Sequence, residues 1–164
     1  MILFFAKGEC DSDKYVKYCY GHYRNIMSQL GNDLPETVEI VREEGAKPRF
    51  DTDDVHFNLS HSHGVMLVGI SHAPIGVDIE KVRPVDFEKF KFIEAEDDQD
   101  FFEKWTERES YVKFTGEGIV AIRGEIPDDA HFEHFDVFDG YHACICVDEP
   151  QNIRAYQMDL SQID

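Results

Sequence analysis

The stretch VHFNLSHSHGVMLVGISHAPIGVDIE, Val55–Glu80, decides the fold class. Val55, Phe57 and Leu59 alternate with His56, Asn58 and Ser60, the two-residue period of a strand with one buried face. Val65–Ile70 is a continuous apolar run, and Ile75–Ile79 is another, separated by the turn residues His72, Ala73 and Pro74. Three short strands in succession predict a compact meander. Upstream, Ile2–Ala6 reads as a buried strand. A helix capped by Asp11, Ser12 or Asp13 follows and runs to about Leu30, stopping at Gly31, with Val16, Tyr20, Tyr23 and Met27 at helical spacing. Val38–Val41 reads as a further strand before a turn at Glu44–Pro48.

Downstream, Asp97 or Asp98 caps a second helix. Phe101, Trp105 and Val112 share its stripe, and Gly116 ends it. A tail hairpin over His134–Val147 is expected to turn at Asp139-Gly140, a favoured two-residue pair, with His131, His134 and His142 at its surface. Helices mixed with mostly antiparallel strands make the class α+β.

Composition narrows the function. Lys plus Arg total 16 against 34 Asp plus Glu, a formal charge of −18 over 164 residues, which excludes the basic footprint of a general nucleic-acid binder and docking on anionic lipid. An apolar fraction of 42 % excludes a disordered chain. No apolar run approaches the roughly 18 residues of a membrane helix, and the start MILFFAKGEC lacks the basic flank of a signal peptide. Cys10, Cys19, Cys144 and Cys146 show no disulfide framework, so free thiols and a cytoplasmic location are expected.

Three blocks carry chemistry. In Gly76-Val77-Asp78-Ile79-Glu80 two carboxylates two residues apart fall on one strand face, where they repel unless a cation lies between them; all-oxygen ligands suit Mg²⁺. The alternative is a frayed strand end that meets water. In Trp105–Lys113, Glu109 and Lys113 stand at i, i+4; Glu109 is a candidate third ligand and Lys113 a phosphate contact, or the two form an ordinary surface pair. In Phe57–His63, Ser60 and His61 are candidate anion donors with Lys47 nearby, or simply polar loop residues. The histidine spacing matches no usual zinc pattern.

The order and spacing of these blocks resemble the three motifs of the Sfp-type phosphopantetheinyl transferases: Phe57-Asn-Leu-Ser-His-Ser62, Ile75-Gly-Val-Asp-Ile-Glu80, and Trp105-Thr-x-x-Glu-Ser-Tyr-Val-Lys113 with Gly116-x-Gly118. Ala46-Lys47-Pro48 resembles the family's short Gly-Lys/Arg-Pro motif. The resemblance covers roughly residues 45–147. It implies a monomer of two similar α+β halves related by a pseudo-twofold, coenzyme A between them, and here a shortened N-terminal half (1–54) joined in one compact unit to a motif-bearing half (55–164).

The implied reaction is attack by a serine hydroxyl of an acyl or peptidyl carrier protein on the β-phosphate of coenzyme A. The phosphopantetheine arm moves to that serine and 3′,5′-ADP leaves. By motif position Asp78, Glu80 and Glu109 would hold Mg²⁺, and Lys113 would steady the phosphates. Ser60, His61 and Lys47 would meet the nucleotide portion of coenzyme A. Glu96, in Phe92-Ile-Glu-Ala-Glu96, would take the serine proton, with Glu94 as the alternative. The family's basic segment for the 3′-phosphate has no match in the first 54 residues. Arg108 stands where the family usually has Lys, and Lys81, Arg83 and Lys89 form a candidate basic patch for an acidic carrier. Two other readings stay open: a non-catalytic coenzyme A or nucleotide binder, and a metal-dependent phosphoesterase using His61 and His63.

Overall fold

The computed structural model describes residues 1–164. In chain order the elements are β1 (Ile2–Lys7), α1 (Ser12–Gln29), β2 (Ile40–Val41), β3 (Arg49–Phe50), β4 (His56–Ser62), β5 (Val65–Ser71) and β6 (Ile75–Lys81), then α2 (Asp98–Thr115), β7 (His131–Phe135), β8 (Tyr141–Val147) and β9 (Arg154–Gln157). Short helical turns cover Phe87–Lys89, Ile119–Arg123 and Leu160–Gln162. The class is α+β.

Four layers stack in the order α1, first sheet, second sheet, α2. The first sheet runs β4-β5-β1-β9, all antiparallel except the parallel β1–β9 pair. The second runs β6-β8-β7 and is antiparallel throughout. On β1 and β5 the alternate residues Phe4, Met66, Val68 and Ile70 face α1 and join Tyr15, Val16, Tyr20 and Tyr23. Leu3, Val65 and Leu67 face the other way, onto Ile75, Val77, Ile79 and Ile145 of the second sheet. Gly69 leaves room for this contact, because a Cβ there would lie 2.7 Å from the Ile75 Cδ1.

The three-strand meander is not what forms. β4 and β5 make a hairpin through His63 and Gly64, both at positive φ (45° and 75°), the requirement of a tight two-residue turn. β6 then leaves for the second sheet. A strand has two edges, and β5 gives one to β4 and the other to β1, so none remains for β6. The tail hairpin also differs. Its strands end at Phe135 and restart at Tyr141, and Phe138-Asp139-Gly140-Tyr141 is only the last turn of a longer connection. Val137 and Phe138 lie in that connection and pack on the apolar core, Phe138 edge-on to Phe5, which a two-residue turn would prevent. Val38–Val41 contributes only Ile40–Val41 as strand, paired with β3.

The helix ends follow their capping residues. The Asp11 carboxylate accepts the Lys14 N–H at the start of α1, and Asp97 accepts that of Asp100 at the start of α2. Gly116 ends α2 at φ 76°. His142 is buried, contrary to its expected surface position, because β8 is the central strand of its sheet with α2 above it.

Candidate active site

On β6 the residues Ile75, Val77 and Ile79 fill the core between the sheets, which turns Gly76, Asp78 and Glu80 toward α2. Gly76 is required there: a Cβ would lie 1.9 Å from the Ser110 carbonyl oxygen and 2.5 Å from the Phe114 nitrogen. The close crossing brings Glu109 and Lys113 of α2 over the carboxylates. Lys113 Nζ donates to Asp78 Oδ1 at 2.9 Å and to the Val77 carbonyl at 3.1 Å.

β6 is an edge strand of its sheet, yet its outward N–H groups at Val77, Ile79 and Lys81 are all hydrogen-bonded. Side chains of β4 take the place of a neighbouring strand. Asn58 Oδ1 accepts the Val77 N–H at 2.8 Å, Ser60 Oγ the Ile79 N–H at 3.1 Å, and Ser62 Oγ the Lys81 N–H at 3.1 Å. Lys47 Nζ donates to the carbonyls of Ile75, Lys113 and Phe114 at 3.3, 3.0 and 3.3 Å, tying the end of α2 to the start of β6.

Asp78 is only 3 % exposed. Its Oδ1 accepts from Lys113 and, at 2.9 Å, from Ser60 Oγ, while Oδ2 is buried with no partner. Burial pushes its carboxyl up to about 7, with the Lys113 ammonium pulling the other way and Glu80 and Glu109 adding repulsion. Burial also raises Glu109, opposed by Lys113. Glu80 Oε2 accepts from Ser62 Oγ and from Arg83, both at 3.2 Å. A cavity of about 450 Å³ opens over Asp78, Glu80 and Glu109, with Lys113, His61 and Arg42 also on its walls. An orphaned carboxylate oxygen among all-oxygen donors fits a hard divalent cation. As they stand, no three carboxylate, imidazole or thiol groups are drawn together tightly enough to cage one.

No family model matches the sequence. Curated proteins do. The 4′-phosphopantetheinyl transferase gsp of Aneurinibacillus migulanus is 35 % identical over 109 residues, 58 % of this chain and 46 % of that protein. The transferase psf-1 of Bacillus pumilus is 36 % identical over 110 residues, covering 58 % and 47 %. The transferase Sfp of Bacillus subtilis (strain 168) is 27 % identical over 158 residues, covering 77 % and 70 %. The chain is similar over most of its length to the Sfp-like 4′-phosphopantetheinyl transferases. It spans about half the length of gsp and psf-1.

Of the positions that the transferase motifs single out, Ser60, His61, Asp78, Glu80, Glu109 and Lys113 all line the one cavity. Ser60 is buried and His61 exposed, adjacent strand residues pointing to opposite faces. Lys47 does not line it; its ammonium is held by three carbonyls and borders a neighbouring pocket with Glu109 and Lys113. Glu96 and Glu94 do not line it either. Both precede α2, and at about 1.5 Å per residue the helix start lies roughly 16 Å from Glu109. His63 is also outside the cavity, beside Ser62. Arg108 clamps the Ile122 and Gly124 carbonyls at 3.0 and 2.9 Å. Arg83 of the expected basic patch is engaged by Glu80, and Lys89 by Asp86. Sequence reasoning passed over Ser12, at the start of α1, and Arg42, both on the cavity wall. The signal for Arg42 was its place just upstream of Lys47.

Proposed function

We propose that this protein transfers the phosphopantetheine arm of coenzyme A to a serine of an apo acyl or peptidyl carrier protein. The observation that carries the reading is the meeting of opposite demands in one cavity. Asp78, Glu80 and Glu109 form a carboxylate floor, while Lys113, Arg42 and His61 stand on its walls. A diphosphate cannot approach such a floor unless a cation intervenes. Asp78, Glu80 and Glu109 would hold Mg²⁺, which when bound neutralises the diphosphate and aligns an in-line displacement.

The rest is this chain's own work. His61, and Arg42 on exchanging its ion pair with Asp13, would grip the phosphates of the nucleotide portion. Lys113 would counter charge that develops on the leaving phosphate. The carrier serine oxygen forms a bond to the β-phosphorus, the bond from that phosphorus to the bridging oxygen breaks, and 3′,5′-ADP departs. The serine proton passes to a carboxylate base, for which Glu96 is the candidate and Glu94 the alternative. Lys47 supports the site from behind by fixing the end of α2. The stacking of each sheet against one eighteen-residue helix supports the two-half view of the fold; β4, β5 and β9 join β1 in the first sheet, so that half draws on strands beyond residue 54, and the monomer is what the resemblance implies.

The test incubates the purified protein with coenzyme A, Mg²⁺ and apo carrier proteins from the same organism and weighs the carriers by mass spectrometry. A gain equal to the arm is expected. No gain on carriers that Sfp modifies under the same conditions overturns the reading. A second reading is a binder of coenzyme A without turnover, favoured by the position of Glu94 and Glu96 away from the cavity. Calorimetry showing coenzyme A binding without any transfer would select it.

A further inference from the structure

Ser60 and Ser62 make the same pair of bonds, one step apart along two strands. Ser60 Oγ accepts the Ile79 N–H and donates to the Asp78 carboxylate. Ser62 Oγ accepts the Lys81 N–H and donates to the Glu80 carboxylate. In each case one hydroxyl joins the backbone of residue i+19 to the side chain of residue i+18. The repeat is possible because both strands advance two residues per rung, so a side chain of β4 meets an N–H of β6 at every rung. A hydroxyl has one proton. Bonded to the carboxylates, neither serine has a proton left for a phosphate. His63 Nδ1, 3.0 Å from Ser62 Oγ, completes that hydroxyl's bonding when it carries its proton there.

Asn58 provides an internal comparison. It makes the backbone bond to Val77 and nothing more, because the residue on the carboxylate side of that rung is Gly76. The rung residue is an amide where no acid needs holding and a serine where one does.

We propose that Ser60 and Ser62 are positioning residues that aim the Asp78 and Glu80 carboxylates into the cavity, and that this, rather than contact with coenzyme A, is what their hydroxyls do. The proposal rests on the reading above that these carboxylates hold a divalent cation. The serines fix each acid at its root, through the strand, and at its head, through the hydroxyl. Loss of such a partner lowers metal affinity about 10- to 100-fold.

The test measures Mn²⁺ binding by calorimetry on the free protein, and binding of 3′,5′-ADP without metal. Ser62→Ala should weaken Mn²⁺ about 10- to 100-fold and leave the nucleotide affinity within about twofold. Asn58→Ala, which removes a rung without touching an acid, should change Mn²⁺ affinity by less than about threefold. Unchanged Mn²⁺ affinity in Ser62→Ala overturns the proposal. So does an equal loss in Asn58→Ala, which would make the effect one of strand loosening, or a loss of nucleotide affinity, which would restore the serine to the substrate. Wild-type protein that binds no Mn²⁺ removes the cation reading and this proposal together. Amide exchange in the wild type needs no variant. The Ile79 and Lys81 N–H groups should be protected although no strand pairs with that edge, and rapid exchange at both overturns the proposal.

Discussion

α1 and α2 are each eighteen residues long and each covers the outer face of one sheet, yet their buried faces share almost nothing. α1 presents Tyr15, Val16, Cys19, Tyr20 and Tyr23 to a sixteen-residue apolar core. Near its C-terminal end α2 presents Ser110, Glu109 and Lys113 to a strand carrying Gly76, Asp78 and Glu80. Three of its aromatic residues, Phe101, Phe102 and Trp105, gather at the other end with Phe87 and Phe90. The α1 side gains stability from area removed from water. The α2 side holds a buried acid with an unpartnered oxygen, which destabilises the fold but leaves a group ready for a ligand. The two sides divide the work unequally: the acids lie on the α2 side, and α1 gives the cavity wall only Ser12, Asp13 and Val16 from its first turns.

The separation can be tested from its strongest consequence downward. Phe4→Ala on the α1 side should cost about 3–5 kcal/mol in urea unfolding and leave transfer per folded molecule unchanged. A large fall in turnover of the folded fraction would break the contrast. Asp78→Asn should do the reverse. It keeps acceptors for Ser60 and Lys113 but removes the charge, so transfer should fall roughly 10²- to 10³-fold, about 3–4 kcal/mol in the barrier. Its melting temperature should stay near the wild-type value.

Gly76→Ala probes the border between the two roles. Its Cβ would meet the α2 backbone, so unfolding should cost about 2–3 kcal/mol and the helix should shift off the acids, lowering transfer as well. Gly69→Ala meets only side-chain methyl groups and should lower stability alone.

The smallest effect concerns pH. His134 bonds Glu107 at 2.7 Å and His142 at 2.8 Å. The Glu107 bond raises His134 above the ordinary histidine range, so its contribution is full below about 6.5 and fades as pH rises through its folded value. Burial lowers His142, so its contribution has the opposite slope, growing as pH rises toward about 6.5. The two slopes oppose each other in the wild type. Glu107→Gln should uncover the His142 slope, seen as stability that increases as pH rises through the ordinary histidine range. A flat profile in the variant would show that the histidines do not oppose one another.

What was legible in the sequence depended on range. The alternation of Ile75, Val77 and Ile79 with Gly76, Asp78 and Glu80 is local, and the strand forms with those two faces. Asp11 and Gly116 mark helix ends by local chemistry, and both do so here. Departure of β6 to the second sheet was not legible, because it follows from β1 taking the second edge of β5, a pairing some sixty residues away in the chain. Asn58, Ser60 and Ser62 read as the polar face of a half-exposed strand. They are buried because their polar atoms complete another strand's edge, which no periodicity reveals. Six of the motif positions meet at one cavity, but the local match around Glu96 carried no information on the length of helix between it and Glu109.

The alternation on β6 has a consequence for error. A slip of one residue in its pairing with β8 would push Asp78 and Glu80 between the sheets and swing Ile75, Val77 and Ile79 toward the cavity. Two stranded charges would make that misregistered state far too unstable to persist. The strand therefore proofreads its own alignment: a chain that reaches its native register has, by the same event, aimed its acids.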